Sequence, residues 1–467
     1  MQKFRFFLGL WSAKFLLTIL KLLGKEKDDK PGLLAYRFCD DFISYINKPK
    51  TVIGVTGTNG KTTVSNMVAD FLRLDGKKVA YNDWGANALA GQTRCLLDAV
   101  NIFNKPKKDV AVLEIDEVTS NYTLKRIKPN YIIITNLFRD SIKRNAYISY
   151  VKEHLEEGIS SCDAQLIINA DDPILNTLNV KNKTVYYGVS KINEAKEIPW
   201  NTDFPICPKC HKKIKYKYWH YRHIGNVSCD CGFKSKKADV LADNINYKNM
   251  TFEYTYNKEK STIKMLSPNL FNVFNVTSVV ALFRTMGYKK EIIEKYISKI
   301  HMPSTRENFA SDGNMKFDLQ VAKGQNGSSL STVADRLKDT KEDTLAIVML
   351  DEESCKKDKS ETVTWIYETD FTSFASKNIK RIIVCSYLYQ DYKVAMMLNG
   401  VNEEKIICVD SEQKILDKVS FDNIKRVVIL FDVENITRPR LLRNEIRNKY
   451  LKGEEKNENW NSISRDC

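Results

Sequence analysis

The segment GVTGTNGKTT, Gly54 to Thr63, sets glycines, a lysine and two threonines at a spacing suited to binding phosphate. Glycines let a backbone close around an anion, and successive N–H groups can point inward. A helix starting at Lys61 would aim the positive end of its dipole at the charge. Lys61 would then reach the terminal phosphates and Thr62 would hold Mg2+, with Gly57, Thr58, Asn59, Gly60 and Thr63 completing an ATP cradle. The common spelling G-x-x-x-x-G-K-[ST] needs glycine where Val55 stands, so Gly54 reads as a strand residue. An ordinary strand-to-helix turn is the alternative. A second cluster is made of thiols. CPKC (207–210) and CDC (229–231), 18 residues apart, place Cys207, Cys210, Cys229 and Cys231 in the manner of a zinc ribbon. The second pair is one residue short of C-x-x-C, and His211, His220 or His223 could substitute. Structural Zn2+, a degenerate metal-free knuckle and reactive cysteines are the readings open.

These groups need elements to position them. Short β-branched runs at 51–55, 78–82, 109–116, 131–135 and 164–169 alternate with helical segments, the pattern of a mostly parallel sheet covered on both faces. Ligands of such sheets bind at the carboxyl ends of the strands. Those ends carry the glycine loop, Asn82, Glu114, Asp116, Asn136 and Asn169–Asp172. Asn82, Asn87 and Asp116 are candidate substrate-lining residues by position alone. The basic, aromatic, cysteine-rich stretch at about 200–237 reads as an insertion, and 301–307 as a linker to a second, smaller α/β domain. The expected organisation is an N-terminal helical segment (1–48), an ATP-binding domain (49–302), a Rossmann-like C-terminal domain (303–451) and a loose polar tail (452–467).

The 467 residues carry a formal charge of +15, which favours an anionic partner or describes a lysine-rich surface. No nucleic-acid-binding signature accompanies it. Eleven cysteines and no evident cleavable signal argue for a reducing, cytoplasmic setting. Near the start, Phe4, Leu8, Trp11, Phe15, Ile19 and Leu22 recur at helical spacing between basic residues. That helix either packs on its own domain or lies on an anionic membrane surface. It is too often interrupted to span one.

GTNGKTT resembles the nucleotide loop of the Mur ligases and folylpolyglutamate synthases. LEID puts Glu114 where that family carries a Mg2+-binding glutamate, ITNLFRD (134–140) and NADDP (169–173) are similar to its later strand ends, and LFNVFN (270–275) places Asn272 at its adenine-contacting asparagine. TRE (305–307) puts Arg306 at its inter-domain arginine. The resemblance implies a Mur ligase-type central domain, ATP and Mg2+ as cofactors, and a carboxylate activated as an acyl phosphate, with Lys61 and Glu114 catalytic. NDWGANALAG (82–91) and the cysteine insertion resemble the amidating branch of the family. Its members are the synthetase subunits of lipid II isoglutaminyl synthases, which work in a heterodimer with a GatD-like glutaminase subunit at the inner face of the membrane. The resemblance therefore implies amidation of the α-carboxylate of D-glutamate in lipid II, for peptidoglycan synthesis. An amino-acid-adding ligase and a silent scaffold are the alternatives. The five histidines (His154, His211, His220, His223, His301) give no Cys–His glutaminase pair, so ammonia comes free or from the partner. In VTWIYETDF (363–371) and the residues before it, Thr362 stands where the branch carries a triad-completing Asp. Asp358 or Glu361 is the candidate substitute, with solvated residues of an acidic loop as the alternative. KGQNG (323–327) and CSYLY (385–389) likewise depart from the branch's pattern.

Overall fold

The structure is a computed structural model. It describes residues 1–463 apart from 26–27, 83–86, 140–146, 193–201, 302–306, 313–314, 323–326, 339–340, 351–362 and 433–436. The chain forms two compact units, one of Met1–Arg139 and Tyr147–Met302, the other taking the chain from Pro303 onward.

Unit 1 opens with helices α1 (Gln2–Leu22), α2 (Lys30–Phe38) and α3 (Phe42–Tyr45). Strand and helix then alternate: β1 (Thr51–Thr56), α4 (Lys61–Leu74), β2 (Val79–Ala80), α5 (Leu89–Ala99), β3 (Val110–Glu114), α6 (Ser120–Ile127), β4 (Tyr131–Ile134), α7 (Ile148–Ser160), β5 (Gln165–Asn169) and β6 (Thr184–Val189). A separate antiparallel hairpin, β7 (Lys215–Tyr221) and β8 (Ile224–Ser228), interrupts the series. The unit closes with β9 (Val240–Asn246), β10 (Thr251–Tyr256), β11 (Glu259–Lys264), α8 (Leu270–Thr285) and α9 (Lys290–Ile297).

The main sheet has nine strands in the order β11-β10-β9-β6-β5-β4-β1-β3-β2. It is parallel from β2 to β9, and β10 and β11 add an antiparallel edge. β1, β3 and β4 are apolar almost throughout because both their faces are covered, whereas β11 buries every other residue. One face packs on α1, α2, α3, α5, α6, α7 and the cysteine segment, the other on α4, α8 and α9. β1 and β4 are neighbours, and the connection leaving β1 runs toward β2 while that leaving β4 runs toward β5, so the two diverge and open a crevice beyond their carboxyl ends.

Unit 2 holds β12 (Glu307–Asp312), β13 (Met315–Val321), α10 (Gly327–Lys338), β14 (Thr344–Met349), α11 (Thr364–Tyr367), β15 (Ile379–Cys385), α12 (Tyr389–Leu398), β16 (Ile406–Val409), α13 (Gln413–Lys418), β17 (Arg426–Phe431) and α14 (Thr437–Ile463). Its six-stranded sheet runs β12-β13-β17-β14-β15-β16, parallel except for the β12–β13 edge. The tail expected to be loose from Lys452 continues as helix to Ile463; beyond Gly453 it has no glycine or proline, and lysine and glutamate recur along it.

Candidate functional site

The loop between β1 and α4 lies at the crevice. Gly57 has φ +121° and Gly60 φ +91°, conformations that side chains rarely adopt. There is no room for one either: a Cβ on Gly57 would lie 2.2 Å from Thr135 Oγ1, and one on Gly60 2.6 Å from Asn275 Oδ1. The loop is braced from behind by the segment after β4. Thr58 N–H donates to the Asn136 carbonyl (2.8 Å), Asn59 N–H to Asn136 Oδ1 (3.0 Å), and Phe138 N–H to Thr58 Oγ1 (2.9 Å). Thr135 Oγ1 donates back to the Asn59 carbonyl at 2.7 Å. Gly54 lies within β1, as its place in the sequence suggests.

Lys61, Thr62 and Glu114 converge there. The buried Lys61 ammonium donates to the Gly57 carbonyl (2.5 Å) and pairs with Glu117 at 2.8 Å. Thr62 Oγ1 donates to Glu114 Oε2 (3.0 Å), and Tyr81 OH donates to Glu114 Oε1 (3.2 Å). A hydroxyl and a buried carboxylate in contact form a donor set suited to a hard divalent cation, and the hemmed-in glycine backbone suits a phosphate chain. Thr63 is buried in the first turn of α4. Glu117 has no counterpart among the sequence candidates. Its one signal is its place three residues after Glu114, on the turn leaving β3.

The other candidates divide. Asn82 is buried, its side-chain N–H donating to the Gly91 carbonyl (3.2 Å). Gln92 Nε2 donates to the Asn87 carbonyl (2.8 Å) and the Glu114 carbonyl (3.2 Å), which ties Asn87 to the end of β3. Asp116 Oδ1 accepts the N–H groups of Val118 (3.1 Å) and Thr119 (3.0 Å), so that carboxylate oxygen is engaged in the turn entering α6. Asn272 is buried at the start of α8, where its Oδ1 accepts the Leu266 N–H at 2.8 Å. Asn275, one turn further along α8, is the asparagine that faces the glycine loop. Arg306, Asp358, Glu361 and Thr362 lie outside the described residues.

The four cysteines come together. Cys207 Sγ is 3.5 Å from Cys231 Sγ and Cys210 Sγ 3.4 Å from Cys229 Sγ, with all four sulfurs within 4.8 Å of one another. Tetrahedral Zn–S bonds of about 2.3 Å place sulfurs roughly 3.8 Å apart, so the donor set fits zinc. The turn at Gly232 (φ +90°), with Gly232 N–H donating to the Cys229 carbonyl (2.9 Å), lets C-x-C serve in place of C-x-x-C. None of the candidate histidines joins this group.

Instead the hairpin sends His223 into a buried ionic cluster. Its Nε2 is 3.4 Å from Asp172 Oδ1 and its Nδ1 3.4 Å from Asp203 Oδ2. Burial works against its charge, yet Asp172 and Asp203 outweigh it and raise the imidazole to about 9. For Asp203 burial acts the other way, and His223, Arg222 and Arg139 overcome it, holding the carboxyl well below the usual range. Nearby, burial pushes Asp171 up to about 7 and His220 down to about 4, so this 3.8 Å pair is neutral between those values rather than ionic. Asp172 Oδ2 accepts the Leu137 N–H (2.8 Å), and the His223 ring lies 4.6 Å from that of Phe138. The hairpin thus braces the segment that braces the phosphate loop.

A phosphate loop on a parallel sheet, with a lysine, a threonine and a strand-end glutamate gathered beside it, defines an ATP-dependent ligase of the Mur type. Residues 55–204 match the Mur ligase middle domain and residues 324–432 the MurT ligase C-terminal domain. The chain is therefore similar to the Mur ligases in its middle part, and relatives over most of its length carry the name MurT. It is 27% identical over 398 residues to the lipid II isoglutaminyl synthase (glutamine-hydrolyzing) subunit MurT of Staphylococcus aureus strain COL, covering 85% of this chain and 88% of that one. With the same subunit of Streptococcus pneumoniae it shares 25% over 427 residues, 91% and 93% of the two chains. The fold is also that of a pseudomurein peptide ligase type C from Methanothermus fervidus (TM-score 0.68, 21% identity, 92% of this chain and 84% of that one). A MurF ligase from Thermotoga maritima, solved in complex with ADP, shares it as well (TM-score 0.57, 16% identity, 86% and 82%).

Proposed function

We propose that this chain is the synthetase subunit of a lipid II isoglutaminyl synthase. It converts the α-carboxylate of D-glutamate in the lipid II stem peptide to the carboxamide of D-isoglutamine, at the expense of ATP. A carboxylate oxygen attacks the γ-phosphorus and ADP leaves. Ammonia then attacks the acyl carbon of the acyl phosphate, and phosphate departs with that oxygen. The observation that carries this reading is the convergence of Lys61, Thr62 and Glu114 on one braced glycine loop.

In this reading Lys61 draws charge from the transferring phosphoryl group. The Gly57–Thr63 backbone orients the phosphates, and Glu117 holds the lysine over the loop. Thr62 and Glu114 would hold Mg2+, which supplies further charge neutralisation. The four cysteines would hold a structural Zn2+ that sets the hairpin. Asn82 and Asn87 stay candidates for the acceptor side. Ammonia is supplied by a GatD-like glutaminase partner, since the relatives are named as glutamine-hydrolyzing subunits.

The test supplies lipid II, ATP and either ammonium or glutamine plus the partner. Amidation with both donors, and at least about a hundredfold less with Lys61→Ala, is expected. ADP formation accompanied by addition of an amino acid instead of an amide would make the chain an amino-acid-adding ligase.

A further inference from the structure

Helix α1 has two apolar faces. The inner one, Phe6, Leu10, Ala13, Leu17 and Leu20, is buried in the core of unit 1. At about 100° per residue, the row from Phe4 to Leu22 read from the sequence falls within an arc of about 80° on the opposite side, some 27 Å long. Apart from the half-buried Leu8, that row faces outward: Phe4 is 65% exposed, Trp11 50%, Phe15 70% and Leu22 83%. Scattered apolar residues on a surface are ordinary, but a continuous row of this length is not.

The helix is fastened with this face outward. Trp11 Nε1 donates to the Ile102 carbonyl (3.0 Å), and the Lys14 ammonium donates to the carbonyls of Val100 (2.6 Å) and Leu97. The same connection carries Ile102 and Phe103, 51% and 67% exposed, so the ridge is widened beside Trp11. Its surroundings are basic. Gln2–Leu22 contains no acidic residue, Lys3, Arg5 and Lys21 are exposed on the helix, and Lys105 and Lys107 follow Phe103.

We infer that this face is a docking surface for an anionic lipid bilayer, on which α1 lies with Phe4, Trp11, Phe15 and Leu22 among the acyl chains and its basic residues at the headgroups. A convex ridge of aromatic and aliphatic side chains edged with lysine suits a planar lipid surface, and the protein's charge of +15 favours an anionic one. Among the described residues no helix is long and apolar enough to cross a membrane, so the helix lies on the bilayer and does not span it. This inference does not rest on the reading of the nucleotide site.

The test is sedimentation of the purified full-length protein with vesicles of phosphatidylcholine, alone or mixed with phosphatidylglycerol. Binding to the mixed vesicles, at least about tenfold weaker to the neutral ones and in high salt, is expected. Phe15→Ser combined with Leu22→Ser should lower the partition coefficient at least about tenfold, since both side chains are exposed and leave the core untouched. Melting temperature and ATP turnover with a water-soluble peptide substrate should not change. Failure to bind the mixed vesicles, or equal binding by the double variant, overturns the inference. So does a wild-type dimer in solution that the double variant dissociates, which would make the face a protein interface.

Discussion

Replacing His223 by glutamine removes a positive charge held between two buried carboxylates while keeping a side chain of similar reach. The structure gives the size of the effect. His223 is fully buried, and its two partners raise it from 6.5 to about 9. Because the folded value is the higher one, the imidazolium stabilises the protein fully below pH 6.5, and that stability is lost as pH rises through 9. At 1.36 kcal/mol per unit the whole shift corresponds to about 3 kcal/mol, of which about 2 kcal/mol disappears between pH 6.5 and 8. Lys14 and Lys48, lowered to about 8 by burial, add stability of the opposite slope only above pH 8. The lower window is therefore the cleaner one. Comparing wild type with H223Q cancels these groups and Asp171. At pH 6.5 the variant should be less stable by about 3 kcal/mol, because Asp203 and Asp172 are left facing each other without their cation. Urea unfolding of both proteins, followed by tryptophan fluorescence, to which Trp219 on the same hairpin contributes, measures this at pH 6.5, 7.25 and 8. The gap between the two curves should shrink by about 2 kcal/mol as pH rises across that window. Parallel pH profiles would refute the charged state of His223 and with it the ionic account of the hairpin.

Two further outcomes follow from the site. Asn272→Ala, which strands the half-buried Leu266 N–H, should destabilise unit 1 by about 1–2 kcal/mol in thermal unfolding. Asn275→Ala should leave the melting temperature nearly unchanged and raise the KM for ATP, because that side chain abuts the glycine loop. The reverse pattern would assign the nucleotide role to Asn272. The protein purified from cells should contain one zinc per chain by elemental analysis, and Cys207→Ser with Cys210→Ser should remove it and lower the stability of unit 1 by several kcal/mol. Full stability without metal would leave the four thiols as a metal-free knuckle.

The glycine loop and most parallel strands were legible because both rest on local signals. A phosphate loop is spelled by glycines and a lysine within a few residues, as at Gly57, Gly60 and Lys61, and doubly covered strands are continuous β-branched runs such as YIII. β6 and β9 were not legible as members of the same sheet. They lie on either side of the cysteine insertion, and TVYYGV and VLADNIN carry tyrosine, aspartate and asparagine that blur the pattern. The insertion read only as a basic, aromatic, cysteine-rich stretch, whereas Arg222 and His223 are buried against Asp203 and Asp172, a pairing between residues far apart in sequence that no local pattern encodes. Asp116 lies at the strand end as read, and one of its carboxylate oxygens also serves the turn entering α6, which no local pattern announced. Glu117 was passed over although it holds Lys61. The spacing of α1 gave its apolar row correctly. Which face turns inward was decided by Phe6, Leu10 and Leu17 joining the core of unit 1, and that required the fold.

Isotope transfer tests the central claim most directly, that this site activates a carboxylate by phosphorylation. Substrate whose D-glutamate α-carboxylate carries oxygen-18 is turned over with unlabelled ATP and ammonium, and the released phosphate is analysed by mass spectrometry. Each phosphate released with an amide should carry one oxygen from the carboxylate. Amide formed with wholly unlabelled phosphate would contradict it.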